Sequence, residues 1–134
     1  MAHLQNIVDS YGRMGFCTAI EGFCAGFAGL SMFCDLKTDL IKIDMALLRN
    51  IDKDSRRQSI VRAMLNMAAE MNVCCILEGV ETAAEFAMLR EMGGRYFQGY
   101  LLGRPLLDQL VDDATILSRI KDAERADARM KESA

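Results

Sequence analysis

Short apolar segments of the chain repeatedly end on polar residues. Residues 74–77 run into Glu78 and Gly79, and a similar step occurs where Ile20 is followed by Glu21. Each segment has the length and the apolar content of a buried strand, and segments with a helical period separate the strands. The pattern therefore predicts a single α/β domain in which strands and helices alternate.

Four strands are predicted in this way. They cover residues 16–20, 39–43, 73–77 and 95–97. Helical connections between consecutive strands favour parallel pairing, and right-handed crossovers place all four strand C-termini on one rim of the sheet. The predicted fold is α/β: a partial TIM-like (β/α) barrel, or half-barrel, of about four parallel βα units with an N-terminal helix and a C-terminal helix.

Local signals mark the starts of two helices. Asp54 or Ser55 is a candidate N-cap for the long helix before the third strand. Thr82 is followed three positions later by Glu85, which is the spacing of a capping box. We therefore predict a helix over residues 83–92.

Composition and charge narrow the class of protein. The 134 residues suffice for one domain, and 51% hydrophobic with 26% charged residues are typical of a globular protein. The net charge of −3 gives no reason to expect nucleic acid, because phosphate binding needs clustered cations. No apolar run approaches the ~20 residues of a membrane span, and a signal-peptide pattern is lacking, so we expect no membrane contact and a cytoplasmic location.

The cysteines do not form the pattern of a disulfide framework. They are Cys17, Cys24, Cys34, Cys74 and Cys75. Their number is odd and no C-x-x-C pair occurs, so we interpret them as reduced thiols that pack as small buried hydrophobic groups. The single histidine, His3, lies near the N-terminus, and a zinc site built from Cys and His is therefore not expected.

The rim formed by the strand ends is the candidate functional site. It collects six polar residues: Glu21, Lys42, Asp44, Glu78, Glu81 and Gln98. Each also has a plain structural explanation. Lys42 and Asp44 suit a solvated edge, and Gln98 suits pairing with backbone groups. Glu78 and Glu81 suit the acids that a helix N-terminus favours. The residues alone leave both interpretations open.

Three motifs follow one another along the chain. They are Leu40-Ile41-Lys42-Ile43-Asp44, Glu78-Gly79-Val80-Glu81-Thr82, and Gln98-Gly99-Tyr100-Leu101 continued by Gly103-Arg104-Pro105. In this order and spacing they resemble the EAL domain family, the cyclic di-GMP phosphodiesterase and receptor domains of bacteria. The resemblance covers only the C-terminal half of the family's barrel. It implies a truncated EAL-like half-barrel over residues 1–111, followed by a charged helical tail over residues 112–134.

The resemblance also implies roles for individual residues. Lys42 matches the family's active-site lysine, which positions water or phosphate, and Glu78 matches a catalytic-site glutamate near the metals. Glu81 matches a substrate-site acid and Gln98 the glutamine of the last strand. The pair Arg104 and Pro105 resembles the segment that borders a guanine. The first two are candidate catalytic residues, and the other four are candidate nucleotide-binding residues.

The family's metal site is incomplete in this sequence. In the family, two magnesium or manganese ions activate water to hydrolyse one phosphodiester bond of cyclic di-GMP, and oxygen ligands hold the ions. The family's Asp-Asp-Phe-Gly stretch falls on Glu21-Gly22-Phe23-Cys24, so Glu21 keeps a carboxylate and Gly22 has none. Glu21 and Glu78 are thus the metal-ligand positions that the resemblance leaves, and the Glu-Ala-Leu motif does not occur.

These departures predict a degenerate EAL-like domain that is inactive by itself and needs no cofactor. We expect it to act in cyclic di-GMP signalling as a regulatory protein-interaction module or a weak nucleotide receptor. The alternative is a Mg²⁺- or Mn²⁺-dependent cyclic di-GMP phosphodiesterase that an N-terminal half completes. Four parallel strands leave the sheet edges uncovered, so we also expect a homo-oligomer or another protein that covers the open half-barrel.

Overall fold

A computed structural model describes residues 2–23, 30–107 and 110–132. Within these residues, four strands form one sheet in the order β1-β2-β3-β4, and every neighbouring pair is parallel. The strands are β1 (Ala19–Phe23), β2 (Leu40–Ile43), β3 (Cys74–Glu78) and β4 (Tyr96–Gln98). Each strand lies beside the next one along the chain, which confirms the predicted series of parallel βα units.

Helices precede, connect and follow the strands. They are α1 (Ala2–Arg13), α2 (Leu30–Asp35), α3 (Met45–Leu48), α4 (Ser55–Glu70), α5 (Ala83–Glu91) and α6 (Asp113–Glu132), with a 3₁₀ turn at Ile51–Lys53. Asp54 is the N-cap of α4, because its carboxylate accepts hydrogen bonds from the N–H groups of Arg56 and Arg57. Thr82 and Glu85 form the predicted capping box of α5. No helix in the described residues is long and apolar enough to cross a bilayer.

The core lies between one face of the sheet and the helices. Ile41 and Ile43 of β2 and Leu77 of β3 are fully buried on this face. They belong to one cluster with buried residues that follow these strands, namely Leu48, Ile51, Val61, Met64, Ala68, Leu89 and Met92. Successive side chains of a strand point to opposite faces, so the alternate residues, Lys42 among them, face away from this core.

The opposite face of the sheet is accessible in the described part of the chain. We call it the open sheet face, and it is formed by Ala19, Leu40, Lys42, Cys74, Ile76 and Tyr96. All six are half-buried or exposed, and Tyr96 keeps 57% of its surface accessible. In a complete (β/α) barrel, this face is the packed interior.

β1 begins at Ala19, three residues later than predicted. The reason is a contact between the starts of two strands. The carboxylate of Asp39 accepts hydrogen bonds from the backbone N–H and the hydroxyl of Thr18, at 2.8 and 3.1 Å. This contact holds Thr18 at the entrance of the strand, so the predicted strand start at Phe16 is wrong and that residue belongs to the connection.

Glu21 and Gly22 lie inside β1 as an irregularity, although they are predicted to follow it. The register with β2 shifts between Ile20 and Phe23, so that Glu21 and Gly22 together face Lys42. Gly22 has a φ of +61°, in the left-handed region that favours glycine. An extra residue of this kind bends a strand and redirects a side chain. Here the side chain is Glu21, which contacts Lys42.

Glu78 and Gln98 are the last residues of β3 and β4, and the prediction that they follow the strands is wrong by one residue. The sheet continues to this point because the two residues are partners in the parallel register. Both still lie at the C-terminal rim, so the predicted candidate site keeps its place.

The charged C-terminal segment forms α6, which packs against the half-barrel. Ile120 and Ala123 pack against the core cluster. The guanidinium of Arg119 donates a hydrogen bond to the carbonyl oxygen of Leu102 at 2.8 Å. The domain boundary after residue 111 remains a prediction.

The cysteines differ from their predicted burial. Cys17 and Cys34 are exposed, so the prediction is wrong for both, because neither side chain faces the sheet core. Cys74 and Cys75 are half-buried, and the four described thiols are free. Burial, with a smaller contribution from Cys74, raises the pKa of Cys75 to about 12. Cys24 lies outside the described residues.

Candidate functional site

Three charged side chains meet at the C-terminal rim of the sheet. Nζ of Lys42 lies 3.1 Å from Oε1 of Glu21 and 3.3 Å from Oε1 of Glu78. The ammonium donates a hydrogen bond to each carboxylate. Only 16% of the Lys42 side chain is accessible, whereas 75% of the Glu21 side chain is accessible. The structure thus brings together predicted site residues from three neighbouring strands.

The electrostatics of this cluster favour the charged form of the lysine. The hydrogen bond to Glu21 raises the pKa of Lys42 above its ordinary value, and the contacts with Glu78 raise it further, whereas burial acts in the opposite direction. The ammonium group of Lys42 is therefore shared by two carboxylates.

The donor set in the described residues does not fit a two-metal centre. No group of three or more Cys, His, Asp and Glu side chains in these residues is arranged to hold a metal ion. Gly22, at the position of the family's second aspartate, has no side-chain donor. Glu21 and Glu78 both bind the same ammonium group. Two carboxylates that already bind an ammonium group could hold at most one Mg²⁺ ion, which commonly binds through one or two carboxylates and several waters, and a pair of ions needs further ligands.

A second cluster lies on two loops beside the rim. The guanidinium of Arg49, directly after α3, makes a two-point contact with the carboxylate of Glu81, at N–O distances of 2.6 and 2.8 Å. The hydrogen bond from Arg49 lowers the pKa of Glu81, and the charge of Arg104 also lowers it. Glu81, a predicted nucleotide-binding acid, is therefore charged and held in place.

Arg49 is absent from the candidates that sequence reasoning identified. It is 32 residues away from Glu81, and no local spacing connects the two. The available signal was its position in the connection after the second strand, because that connection starts at the same rim of the sheet.

The motif after β4 lines an open pocket of about 450 Å³. Gln98, Arg104 and Pro105 line it, together with Tyr100 and with Ile116 of α6. The guanidinium of Arg104 lies 4.7 Å from the centre of the Tyr100 ring, which is a cation–π contact. Three of the four predicted nucleotide-binding residues therefore share one pocket.

The structure shows which backbone contacts Asp44 and Gln98 make. The carboxylate of Asp44 accepts a hydrogen bond from the N–H of Ala46 at 2.7 Å and thereby caps α3. The backbone carbonyl of Gln98 accepts one from the N–H of Val80 at 3.0 Å. Asp44 thus has a structural role as a helix cap, whereas the contact of Gln98 is made by its backbone, and the residue also lines the pocket.

Comparison with known proteins identifies the fold and the motifs. A family model for the EAL domain matches residues 1–105. The chain belongs to the EAL domain family. It is 34% identical over 98 residues to the probable cyclic di-GMP phosphodiesterase PdeA of Escherichia coli K12, a match that covers 73% of the chain and 13% of PdeA.

The chain also covers only part of each solved EAL structure that it resembles. A standalone EAL protein from Vibrio cholerae O395, in its cyclic di-GMP-bound form, is 39% identical with a TM-score of 0.78, over 81% of this chain and 46% of that one. Klebsiella pneumoniae BlrP1, in a manganese and cyclic di-GMP complex, is 33% identical with a TM-score of 0.76, over 80% and 27%. The chain spans less than half of each relative, which confirms the predicted partial barrel.

Proposed function

We propose that this protein is a degenerate EAL domain that acts in cyclic di-GMP signalling by binding and does not hydrolyse the nucleotide by itself. It would act as a weak nucleotide receptor or as a regulatory protein-interaction module. The observation that carries the proposal is Gly22. This residue faces Lys42 in the irregular part of β1, where the family has its second aspartate, and it offers no side-chain ligand to a metal ion.

The rest of the strand-end cluster supports the same conclusion. Glu21 and Glu78 are neutralised in part by Lys42, which already donates to both. A divalent ion that entered here would have to displace this ammonium and would find two carboxylates as ligands. Two-metal hydrolysis needs ions that contact both the attacking and the leaving oxygen, and this donor set supports neither.

The neighbouring pocket supports nucleotide binding. The stacked Arg104 and Tyr100 offer a flat cationic and aromatic surface on which a guanine base can lie. The carboxylate of Glu81 lies outside the lining of this pocket but within the electrostatic reach of Arg104, and the lone pairs that Arg49 leaves free can accept hydrogen bonds from the N–H groups of such a base. A pocket of about 450 Å³ is within the usual range for small-molecule sites, although it is open.

Calorimetric titration with cyclic di-GMP tests the receptor function. We expect weak binding, and we expect Glu81→Gln to weaken it about ten-fold, because one partner of a charged hydrogen bond is lost. Glu91→Gln, which removes an exposed acid at the end of α5, is the matched control and should bind like the wild type. The absence of heat at high micromolar ligand would leave only the protein-interaction function.

The alternative function is a phosphodiesterase that a second half completes. Lys42 and Glu78, the family's candidate catalytic residues, are retained at adjacent strand ends. The chain is incubated with cyclic di-GMP and Mg²⁺ or Mn²⁺, alone and together with a separately produced N-terminal EAL half, and the products are separated by chromatography. Linear dinucleotide that forms with the wild-type chain alone and disappears with Glu78→Ala would overturn our proposal, whereas product that forms only in the mixture would support the alternative.

We also propose that a second copy of the chain covers the open sheet face. In the described part of the chain, four strands form a sheet whose two edges have no neighbouring strand, and four is half of the eight strands that close a (β/α) barrel. In such a pair, β4 of each copy would lie beside β1 of the other. The large Tyr96 of one copy would then neighbour the small Ala19 of the other, an alternation of sizes that packs well.

A further inference from the structure

We propose that Glu85 is a positioning residue that fixes the Arg49–Glu81 pair beside the rim. Glu85 lies in the first turn of α5, and only 2% of its surface is accessible. A carboxylate at such depth is tolerated only where hydrogen-bond donors replace the water that it loses. The donors around Glu85 come from two different parts of the chain.

Each carboxylate oxygen of Glu85 binds one of these parts. Oε1 accepts a hydrogen bond from the backbone N–H of Asn50 at 2.9 Å. Oε2 accepts hydrogen bonds from the backbone N–H groups of Glu81 and Thr82, at 3.1 and 3.2 Å. Asn50 lies in the turn after α3 and has a φ of +56°. The side chain therefore joins this turn to the loop between β3 and α5.

These bonds hold both ends of the ion pair. Arg49 directly precedes Asn50, and Glu81 is itself a donor to Glu85. A capping box explains only the contacts with Thr82, because those lie within the first turn of the helix. The bonds to Asn50 and Glu81 instead fix the two loops relative to each other. They thereby fix the distance between the Arg49 guanidinium and the Glu81 carboxylate.

In this role, Glu85 affects ligand affinity without contacting the ligand. The step rests on the proposed function, in which Glu81 is an acid of the nucleotide site. A side chain that is held in the binding geometry beforehand loses less conformational freedom when the ligand arrives. Release of either loop is therefore expected to weaken nucleotide binding through Glu81.

Glu85→Gln tests the proposal with little change of shape. A glutamine has one acceptor oxygen, and its amide nitrogen is a donor. Whichever way the amide turns, its nitrogen faces either the N–H of Asn50 or the N–H groups of Glu81 and Thr82. In the ligand-free protein, we expect backbone amide exchange measured by NMR to become about ten-fold faster at Asn50 or at Glu81. Cyclic di-GMP affinity should fall by a similar factor.

Thr82→Ala is the matched control. It removes the hydroxyl that accepts a hydrogen bond from the N–H of Glu85 at 3.1 Å, and thus weakens the same helix end while it keeps the Glu85 carboxylate. We expect it to lower stability and to leave amide exchange at Asn50 unchanged. Should Glu85→Gln fail to fold, Glu85→Asp takes its place, because its shorter side chain keeps the charge and reaches only one of the two loops.

Unchanged exchange at both Asn50 and Glu81 in the Glu85 variant would overturn the proposal. The same increase at Asn50 in Thr82→Ala would also overturn it, because a general loosening of α5 would then suffice. The exchange measurement needs no ligand. If neither the wild type nor any variant binds cyclic di-GMP, the proposed receptor function is wrong. The amide-exchange result then still decides whether Glu85 positions the two loops.

Discussion

At the scale of single residues, the strand-end cluster depends on Lys42. Its ammonium lies between the carboxylates of Glu21 and Glu78, and its side chain is largely buried. Without it, two negative charges would remain near each other and lose their common counterion. Removal of one partner from such a group costs more stability than the intact group contributes.

Lys42→Met is therefore expected to lower the urea midpoint of unfolding at neutral pH. Because the contacts with Glu21 and Glu78 raise the pKa of Lys42, its stabilising contribution is fully present below the ordinary lysine value of 10.5 and is lost as pH rises through the folded-state value. The midpoint difference between wild type and variant should thus stay constant from neutral to mildly alkaline pH and shrink above pH 10.5.

The exposed Lys121 of α6 offers a matched control for this measurement. Lys121→Met removes the same charge without disturbing the cluster, so its midpoint should stay close to that of the wild type. Equal losses in the two variants, or a difference for Lys42→Met that does not shrink at alkaline pH, would contradict the prediction.

Residue-level prediction from the sequence succeeded where position along a strand decides contact. Glu21, Lys42 and Glu78 could be placed together because the ends of neighbouring parallel strands share one edge. The pairing of Arg49 with Glu81 could not be predicted in this way. It depends on how the turn after α3 folds over the next loop, and no repeat or spacing in the sequence encodes that approach.

At the scale of elements, Gly99 allows the loop after β4 to pass the loop after β3. The N–H of Val80 donates to the carbonyl of Gln98 at 3.0 Å, and the N–H of Leu101 donates to the carbonyl of Val80 at 3.2 Å. A Cβ on Gly99 would overlap the backbone nitrogen and oxygen of Val80. The absence of a side chain here is therefore a requirement of packing between two connections.

Gly99→Ala is expected to lower the free energy of unfolding by about 3 kcal/mol, because backbone atoms cannot move aside as a flexible side chain would. Urea denaturation measures the change. Gly12→Ala adds the same methyl group to α1, where no atom beyond the adjacent residues and the helix's own backbone lies within 4 Å of the new Cβ, and should be neutral or slightly stabilising. Similar values for the two variants would contradict this account of Gly99.

The elements themselves were predictable in kind and order, and their ends were not. Apolar runs and helical periods identified all four strands of the described sheet. The predicted start of β1 was wrong because Asp39 binds Thr18 across the sheet, a contact that hydropathy does not reveal. The ends of β3 and β4 were misplaced because charged and amide side chains, Glu78 and Gln98, can still occupy the last paired position of a strand at an exposed rim.

At the scale of the whole molecule, the open sheet face is the surface that still needs a packing partner. Its apolar members include Leu40, Ile76 and Tyr96, and the same kind of face is the packed interior of a barrel. Among the residues that the structure describes, no strand pairs with the outer edges of β1 and β4, so both edges can extend a sheet. A second copy supplies both a cover for the face and a strand for each edge.

A dimer is therefore expected in solution. Light scattering at tens of micromolar protein should give twice the chain mass of 14.9 kDa, and a stable interface of this kind buries about 1,000 Å² or more. Tyr96→Glu places a charge on the open sheet face and should yield monomers. Leu117→Glu is the matched control, because Leu117 is 56% accessible, close to the 57% of Tyr96, but lies on α6. A wild-type protein that is monomeric would contradict the proposal that a second copy covers the open sheet face, even if the monomer binds a separately produced EAL half. A dimer that persists in Tyr96→Glu would also contradict it.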